Sequence, residues 1–296
     1  MPERGLSQNW LISFGMPKCG TTTLGALLSL GPALAVHNAK EPNDFINEAV
    51  GGLPRLSGYH ITDATRWLVD FSTQYGMPRH RGEVLDKLAA LGLLERTRFI
   101  LSLRPPEALA RSYFEHLTTR SGLTTTANAE EIRARITGAT DFVAALDALT
   151  ARVAAEQIYV VKFQDLIGVE TQRETMSALS DWLGLAPIVP KDAIQRNTAG
   201  QARRYPGPLE ALAGRLRHFD AVRGLPPELR SRISRLLSRR APATAESFDP
   251  RLWTDAALLT QSSALYAALS TGPLPTARPT GVPLTNDPTG KDLCST

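Results

Sequence analysis

Apolar residues fall along this chain in short runs separated by longer amphipathic stretches, the pattern of strands alternating with helices. "NWLISF" is a β-rich run that ends at Gly15, and Thr22 to Leu30 carries apolar positions over most of a helical surface before Gly31-Pro32 closes it. Together they predict a buried strand-loop-helix unit. A short extended piece near Leu34 to Val36 follows, then the polar loop "HNAKEPNDF" and "GYHITDATRWLVDF", which starts as a strand and turns helical after Asp63. "RGEVLDKLAAL" is an amphipathic helix stopped by Gly92, and "RFILSL", apolar almost throughout, reads as an interior strand of a parallel sheet. "PPEALARSYFEHLTTR" places Pro and Glu in a first helical turn, where both are favourable. "QIYVVKF" is a third clear strand, with the helix "ETQRETMSALSDWLGL" behind it. The expected fold class is α/β: a central parallel sheet flanked by helices, with a P-loop-like strand-loop-helix.

One domain is expected over residues 1–270, helical and Arg-rich from about 206. Residues 271–296, rich in Pro, Thr and Gly, are expected to form a disordered tail. At 43% hydrophobic content, 296 residues can bury a sizeable core, which excludes a fibrous or disordered chain. A net charge of +4 is small, and the basic residues are scattered, so any anion is bound locally and no nucleic-acid partner is expected. Arg230, Arg232, Arg235, Arg239 and Arg240 are open to two readings, a basic rim for an acidic glycan or nucleic acid and a solvated face, and their spread around the expected helix favours the second. Cys19 and Cys294 offer neither a disulfide framework nor a metal-ligand spacing, which suits a reducing, cytoplasmic setting. The Ala- and Arg-rich composition points towards a bacterial protein. The longest apolar run, Leu24 to Val36, is broken by Gly31-Pro32 and falls short of the roughly 20 residues of a membrane span. "MPERGLSQNW" has no apolar core of a signal peptide, so no membrane partner is expected.

The chemistry begins at "SFGMPKCGTTTLGALLSL". Gly15 and Gly20 have the spacing of a nucleotide-hydrolysing loop, G-x-x-x-x-G-K-[ST], but Thr21 stands where its lysine belongs and Lys18 lies inside the loop. A Gly-bounded turn from a strand into a helix directs successive N–H groups into one concavity, and the helix dipole adds positive character. Thr21, Thr22 and Thr23 add hydroxyl donors, and Lys18 adds a mobile cation from the side. Without the lysine-hydroxyl order that holds Mg²⁺ against a triphosphate, the loop suits a single phosphate joined to another anionic group. The alternative is a tight strand-to-helix turn with no ligand.

Arg104 closes the strand "RFILSL", at the carboxyl end where ligands of open α/β sheets bind, and Ser112 follows two helical turns later. A guanidinium fork and a hydroxyl there would grip a second phosphate. Two anion sites on neighbouring strands imply a nucleotide phosphorylated at both its 5′ and 3′ ends.

With these residues the chain resembles sulfotransferases that use 3′-phosphoadenosine 5′-phosphosulfate (PAPS). "PKCGTTTL", Pro17 to Leu24, matches the family's 5′-phosphosulfate loop, P-K-[SAG]-G-T-[ST]-x-L. "SLRPPEALARSYF" matches its 3′-phosphate segment with Arg104 and Ser112 in register, although Pro105 replaces the usual Asn or Asp. "KEPNDF" resembles the K-E-P-x-[YF]-F segment of the carbohydrate branch, the heparan sulfate type and its bacterial relatives. "VVKFQDLI" and "LSDWLGL" resemble a further strand end and helix end of the family. The likeness covers Trp10 to Leu185, and Gln195 to Tyr205 loosely.

The resemblance implies sulfuryl transfer from PAPS to a hydroxyl or amine of a sugar-containing or secondary-metabolite acceptor, without a metal. It assigns nucleotide binding to Pro17, Lys18, Cys19, Gly20, Thr21, Thr22 and Thr23, to Arg104 and Ser112, and to Arg203 and Arg204, which stand where the family has a basic closing loop. Lys18 would neutralise the leaving phosphate. Glu41 is aligned with the catalytic glutamate of the carbohydrate branch, and Lys40 would hold the sulfuryl oxygens. His60 is the rival base, since the cytosolic branch uses a histidine. Asp63 stands near the place of a further acidic residue of the branch. "KEP" can also be read as a solvated turn, and His60 as an edge residue. Two other functions stay open at this stage, a P-loop nucleotide phosphotransferase (kinase) and a non-catalytic nucleotide sensor. Acceptor identity and oligomeric state are not encoded in any motif.

Overall fold

The apolar runs form the expected parallel sheet: Asn9–Ser13 (β1), Leu34–Val36 (β2), Trp67–Asp70 (β3), Thr97–Leu103 (β4) and Ile158–Lys162 (β5). The structure, a computed structural model, describes residues 8–47, 54–119, 121, 123–194, 203–204, 239–240 and 248–276. A separate ribbon pairs Arg203–Arg204 (β6) antiparallel with Arg239–Arg240 (β7). Gly272–Pro273 (β8) joins the main sheet antiparallel to β5, giving the order β2-β3-β1-β4-β5-β8. The chain winds outward from β1 to β2 and back to β3, then crosses to β4 on the other side. Strand order therefore reverses at β1.

The helices among the described residues are Thr21–Leu28 (α1), Arg81–Ala90 (α2), Pro106–Thr119 (α3), Ala129–Thr140 (α4), Phe142–Thr150 (α5), Val169–Leu183 (α6), Pro250–Trp253 (α7) and Ala256–Ala268 (α8). Alternate strand residues face opposite sides of the sheet, and both sides are buried. Trp10, Ile12, Phe99 and Leu101 pack with Leu85 and Leu88 of α2 and with Phe142 and Leu146 of α5. On the other side Leu11, Val69, Ile100 and Tyr159 pack with Leu24 and Leu27 of α1 and with Met176 and Leu179 of α6. A third cluster joins Phe114 and Leu117 of α3 to Ile132 and Ile136 of α4.

Several expectations change. Residues 59–63 form no strand and no helix starts after Asp63; a turn closes there, with the Thr62 N–H donating to Thr65 Oγ1 at 2.9 Å. The strand lies further on, where Trp67 to Asp70 finds β1 on one side and Val36 and its neighbours in β2 on the other. α4 and α5 add two helices to those expected. Gly272 to Leu274, expected in the tail, belong to the sheet margin instead: Leu274 is buried and its N–H donates to the Ile158 carbonyl at 2.9 Å. Arg239 and Arg240 lie in a strand rather than a helix. The rest of the Arg-rich stretch and residues 277–296 lie outside the described residues.

At the amino-terminal end of β4 the Arg98 guanidinium sits between two indoles, 5.1 Å from the Trp67 ring and 4.8 Å from the Trp182 ring. It also donates to the Trp182 carbonyl, tying α6 to the sheet. Each cation–π contact of this kind contributes ~0.5–1 kcal/mol, and the hydrogen bond about 1 kcal/mol more. Arg98→Ala is expected to lower unfolding stability by ~1–3 kcal/mol in urea titrations. Arg98→Lys should recover less than half of that loss, because an ammonium cannot stack flat on two rings.

Candidate functional site

Because the five long strands are parallel, the loops that follow them meet along one edge. Pairing of β1 with β4 runs past the strand end: Phe14 N–H donates to the Ile100 carbonyl at 2.9 Å, and Met16 N–H to the Ser102 carbonyl at 3.0 Å. The loop from Gly15 to Gly20 is thus anchored before it leaves the sheet. Gly76 supports it from the β3 side, where a Cβ would stand 2.1 Å from the Phe14 carbonyl oxygen. Only glycine fits so close a backbone approach.

The loop turns into α1 through Lys18 at φ 66° and Gly20 at φ 84°. Gly20 is the N-cap and supplies no side-chain acceptor to the first-turn amides of α1, the amides from which the sequence expects an anion cradle. Pro17, Cys19, Thr21 and Thr23 are buried, while Lys18 and Thr22 are half-exposed. Burial pushes the Cys19 thiol well above its ordinary value although Arg104 and Lys18 act against it. Cys19 is therefore a packing residue, and the nucleotide-binding role expected of it would fall to its backbone rather than its sulfur.

Arg104 follows the last residue of β4 and reaches the same loop, its Nη1 standing 3.4 Å from the Lys18 carbonyl oxygen. Its guanidinium lies 4.5 Å from the centre of the Phe163 ring, just after β5. Phe163 and Leu166 also close on Gly20, where a Cβ would stand 3.0 Å from a carbon of each. Ser112 is half-buried on the second turn of α3. Its neighbour Tyr113 is raised above the ordinary phenol range by burial, which the nearby Arg135 opposes and the Glu41 carboxylate reinforces. Glu41 is thereby placed within electrostatic reach of α3.

Glu41 leaves the end of β2 half-buried, paired with Lys40 at 3.3 Å. Its Oε2 accepts from Thr73 Oγ1 at 3.3 Å, across from the β3 end. His60 is exposed in the loop ahead of β3, beside Tyr59, which is buried against Trp10 and His37. Asp63 is exposed on the same loop. The structure brings together Lys18, Arg104 and the cradle on one stretch of the edge and Lys40 and Glu41 on the next, and it leaves His60 on the outside. Arg203 and Arg204 belong to the β6–β7 ribbon, and the segments around them lie outside the described residues.

Two features escaped the sequence reading. Phe163 was seen only as a strand end, and Asp70 not at all. Asp70 closes β3 completely buried, accepting from the Ser72 N–H and hydroxyl and from the Tyr75 hydroxyl. A usable signal was there: Asp70 is a charged residue closing an apolar run, as Arg104 is after "RFILSL".

No family model and no curated protein matches the chain. Among solved structures, a sulfotransferase from Alicyclobacillus acidocaldarius superposes with a TM-score of 0.51 at 17% identity, over 64% of this chain and 86% of that one. The fold is similar to that of a solved sulfotransferase. The sulfotransferase domain of the Synechococcus PCC 7002 olefin synthase gives a TM-score of 0.42 at 19% identity, over 72% of this chain and 88% of that one. The sulfotransferase domain of the curacin biosynthetic pathway gives 0.43 at 16%, over 79% and 99%. Neither of the last two reaches a TM-score that bears on the fold.

Gly20→Ala forces an L-residue into the left-handed region, at ~1–2 kcal/mol, and pushes a methyl group against Phe163 and Leu166. We expect urea unfolding to show a loss of ~1–3 kcal/mol. Burial pushes the Asp70 carboxyl from 3.8 up to about 6, outweighing the three hydrogen bonds that favour its anion. The folded chain then holds that proton more tightly than the unfolded chain. The contribution of this group to stability is full below about pH 4 and is lost as pH rises through about 6, a change on the order of 3 kcal/mol. Asp70→Asn should lack that decline when unfolding free energies of the two proteins are compared at pH 4 and pH 7.5.

Proposed function

We propose that this protein is a sulfotransferase that moves the sulfuryl group of PAPS to a hydroxyl or amine of a sugar-containing or secondary-metabolite acceptor. The observation that carries this reading is the meeting of two anion-binding elements at the strand-order reversal, with Arg104 3.4 Å from the loop that holds Lys18. A nucleotide with a 5′-phosphosulfate in the cradle and a 3′-phosphate at Arg104 and Ser112 satisfies both. The Phe163 ring, already under Arg104, gives that end of the site a flat apolar wall.

Sulfuryl transfer is an in-line displacement: the acceptor oxygen or nitrogen bonds to sulfur as the bond to the bridging 5′-phosphate oxygen breaks. Negative charge grows on that leaving oxygen, and the acceptor loses a proton. As in phosphoryl transfer, fixed donors aimed at the growing charge do most of the work. Lys18 and the α1 amides face the leaving phosphate. Glu41, held by Thr73 and Lys40, takes the acceptor proton. Lys40, more exposed than Glu41, is paired with that carboxylate at 3.3 Å and would steady the sulfuryl oxygens in flight.

A phosphotransferase is the second reading, and two residues disfavour it. Thr21 replaces the lysine that would grip a triphosphate. A carboxylate does close β3, but both oxygens of Asp70 accept hydrogen bonds from protein groups rather than facing the loop. Among the described residues no helix is long and apolar enough to cross a membrane, and a cytoplasmic setting is part of the proposal.

Calorimetric titration tests the assignment. Adenosine 3′,5′-bisphosphate is expected to bind, and ATP with Mg²⁺ is not; the opposite preference would put the phosphotransferase first. Lys18→Ala should lower turnover by roughly 10²–10³-fold while leaving bisphosphate affinity within about threefold, because its charge is needed most in the transition state. Arg104→Ala should weaken bisphosphate binding by about 10- to 100-fold, the worth of a charge-assisted phosphate contact.

A further inference from the structure

A buried polar group lies between the phosphate loop and Glu41, and the proposed reaction does not use it. Asp70 is fully buried at the end of β3. Its Oδ1 accepts from the Ser72 N–H at 2.9 Å and the Ser72 hydroxyl at 2.6 Å, and its Oδ2 accepts from the Tyr75 hydroxyl at 2.7 Å. Each hydroxyl accepts in turn. Ser72 Oγ takes the Asn43 N–H at 2.9 Å, and Tyr75 Oη takes the Phe45 N–H at 3.3 Å. Those two amides follow Glu41 by two and four residues. Thr73, between the two hydroxyl residues, holds the Glu41 carboxylate itself.

We infer that Asp70 is a positioning residue for the proposed reaction, fixing the loop that presents Glu41 through the polarity of two hydroxyl groups. An ionised carboxylate can only accept, so Ser72 and Tyr75 must both spend their single proton on it. Their lone pairs then have to face away from Asp70, towards the amides of Asn43 and Phe45. Replacing one acceptor oxygen by a donor reverses one arm of this relay, and a loop amide loses its partner. The same short segment is locked to the phosphate loop by the contact of Gly76 with the Phe14 carbonyl. The base and the leaving-group site are therefore registered against each other through residues 70–76. A general base delivers its effect only when it lies within hydrogen-bond reach of the proton it takes, so a small shift of this loop costs turnover rather than nucleotide binding.

This inference rests on Glu41 acting as the base, and the test separates the two. Turnover is counted as adenosine 3′,5′-bisphosphate released from PAPS, with water or added glucosamine as acceptor. Tyr75→Phe and Asp70→Asn are expected to lower turnover by about 10- to 100-fold, within the range that general-base catalysis supplies, and to change bisphosphate affinity less than about twofold. In a Glu41→Gln background, Tyr75→Phe should add less than about a twofold further loss, because the interaction it breaks serves a group already removed. Amide exchange at Asn43 and Phe45 should rise at least about tenfold in Ser72→Ala and Tyr75→Phe respectively, with β1 and β4 unchanged. Full turnover by Glu41→Gln overturns the base assignment and this inference together. A large loss in Glu41→Gln that Tyr75→Phe deepens by the same factor as in the wild type overturns the inference alone, as does unchanged exchange at both amides. The mild Ser72→Ala and Tyr75→Phe changes keep the test open if Asp70→Asn does not fold.

Discussion

Five parallel strands cannot place their outgoing loops anywhere but on one edge, and this directional constraint governs the rest of the molecule. Every backbone that leaves the sheet there carries N–H groups or side chains that need a partner. Along the edge, following the strand order, stand Lys40 and Glu41 after β2, Asp70 at the end of β3 with Thr73 beyond it, the loop from Gly15 to Gly20 after β1, Arg104 after β4 and Phe163 after β5. The chain visits these positions in a different order from the one in which they lie. Residues far apart in sequence are thereby made neighbours, and the centre of the row falls on the strand where the winding reverses.

Two kinds of polar group compete for this edge. The loop from Gly15 to Gly20 ends in a cap residue, a glycine, that offers the first-turn amides of α1 no side-chain acceptor. Asp70 is the opposite case, a carboxylate taken fully out of water and saturated by internal donors. Burial of a charge without partners would be severely destabilising, and three hydrogen bonds reduce that cost without removing it, as its raised pKa shows. A helix start without a capping side chain can share its amides with a ligand, whereas the closed carboxylate can only serve the protein.

How much of this could be read in the sequence depended on how local each signal was. The strand-loop-helix at Gly15 to Gly20, the place of Arg104 and the alternating elements were legible because apolar runs ending in a glycine turn or a single charge need no tertiary information. β3 was misplaced because Tyr59 to Thr62 alternates apolar and polar residues as well as any strand, and only the available partners favour Trp67 to Asp70. Glu41 was visible as a motif, yet its hold by Thr73 arises from two loops 32 positions apart. Such contacts have no local signature.

The short β8 has a consequence for the open side of the sheet. Without it β5 would present unpaired Tyr159 and Val160 backbone groups to any passing strand, an invitation to edge-to-edge association. Two residues suffice to occupy them, and the second is Pro273, which cannot donate to a further strand. Thr271 adds a hydroxyl that accepts the Lys162 N–H at 2.9 Å, from 109 positions away. A piece of chain that composition alone marks as a loose tail thus serves as a selvedge, finishing the margin of the sheet so that it ends with this molecule.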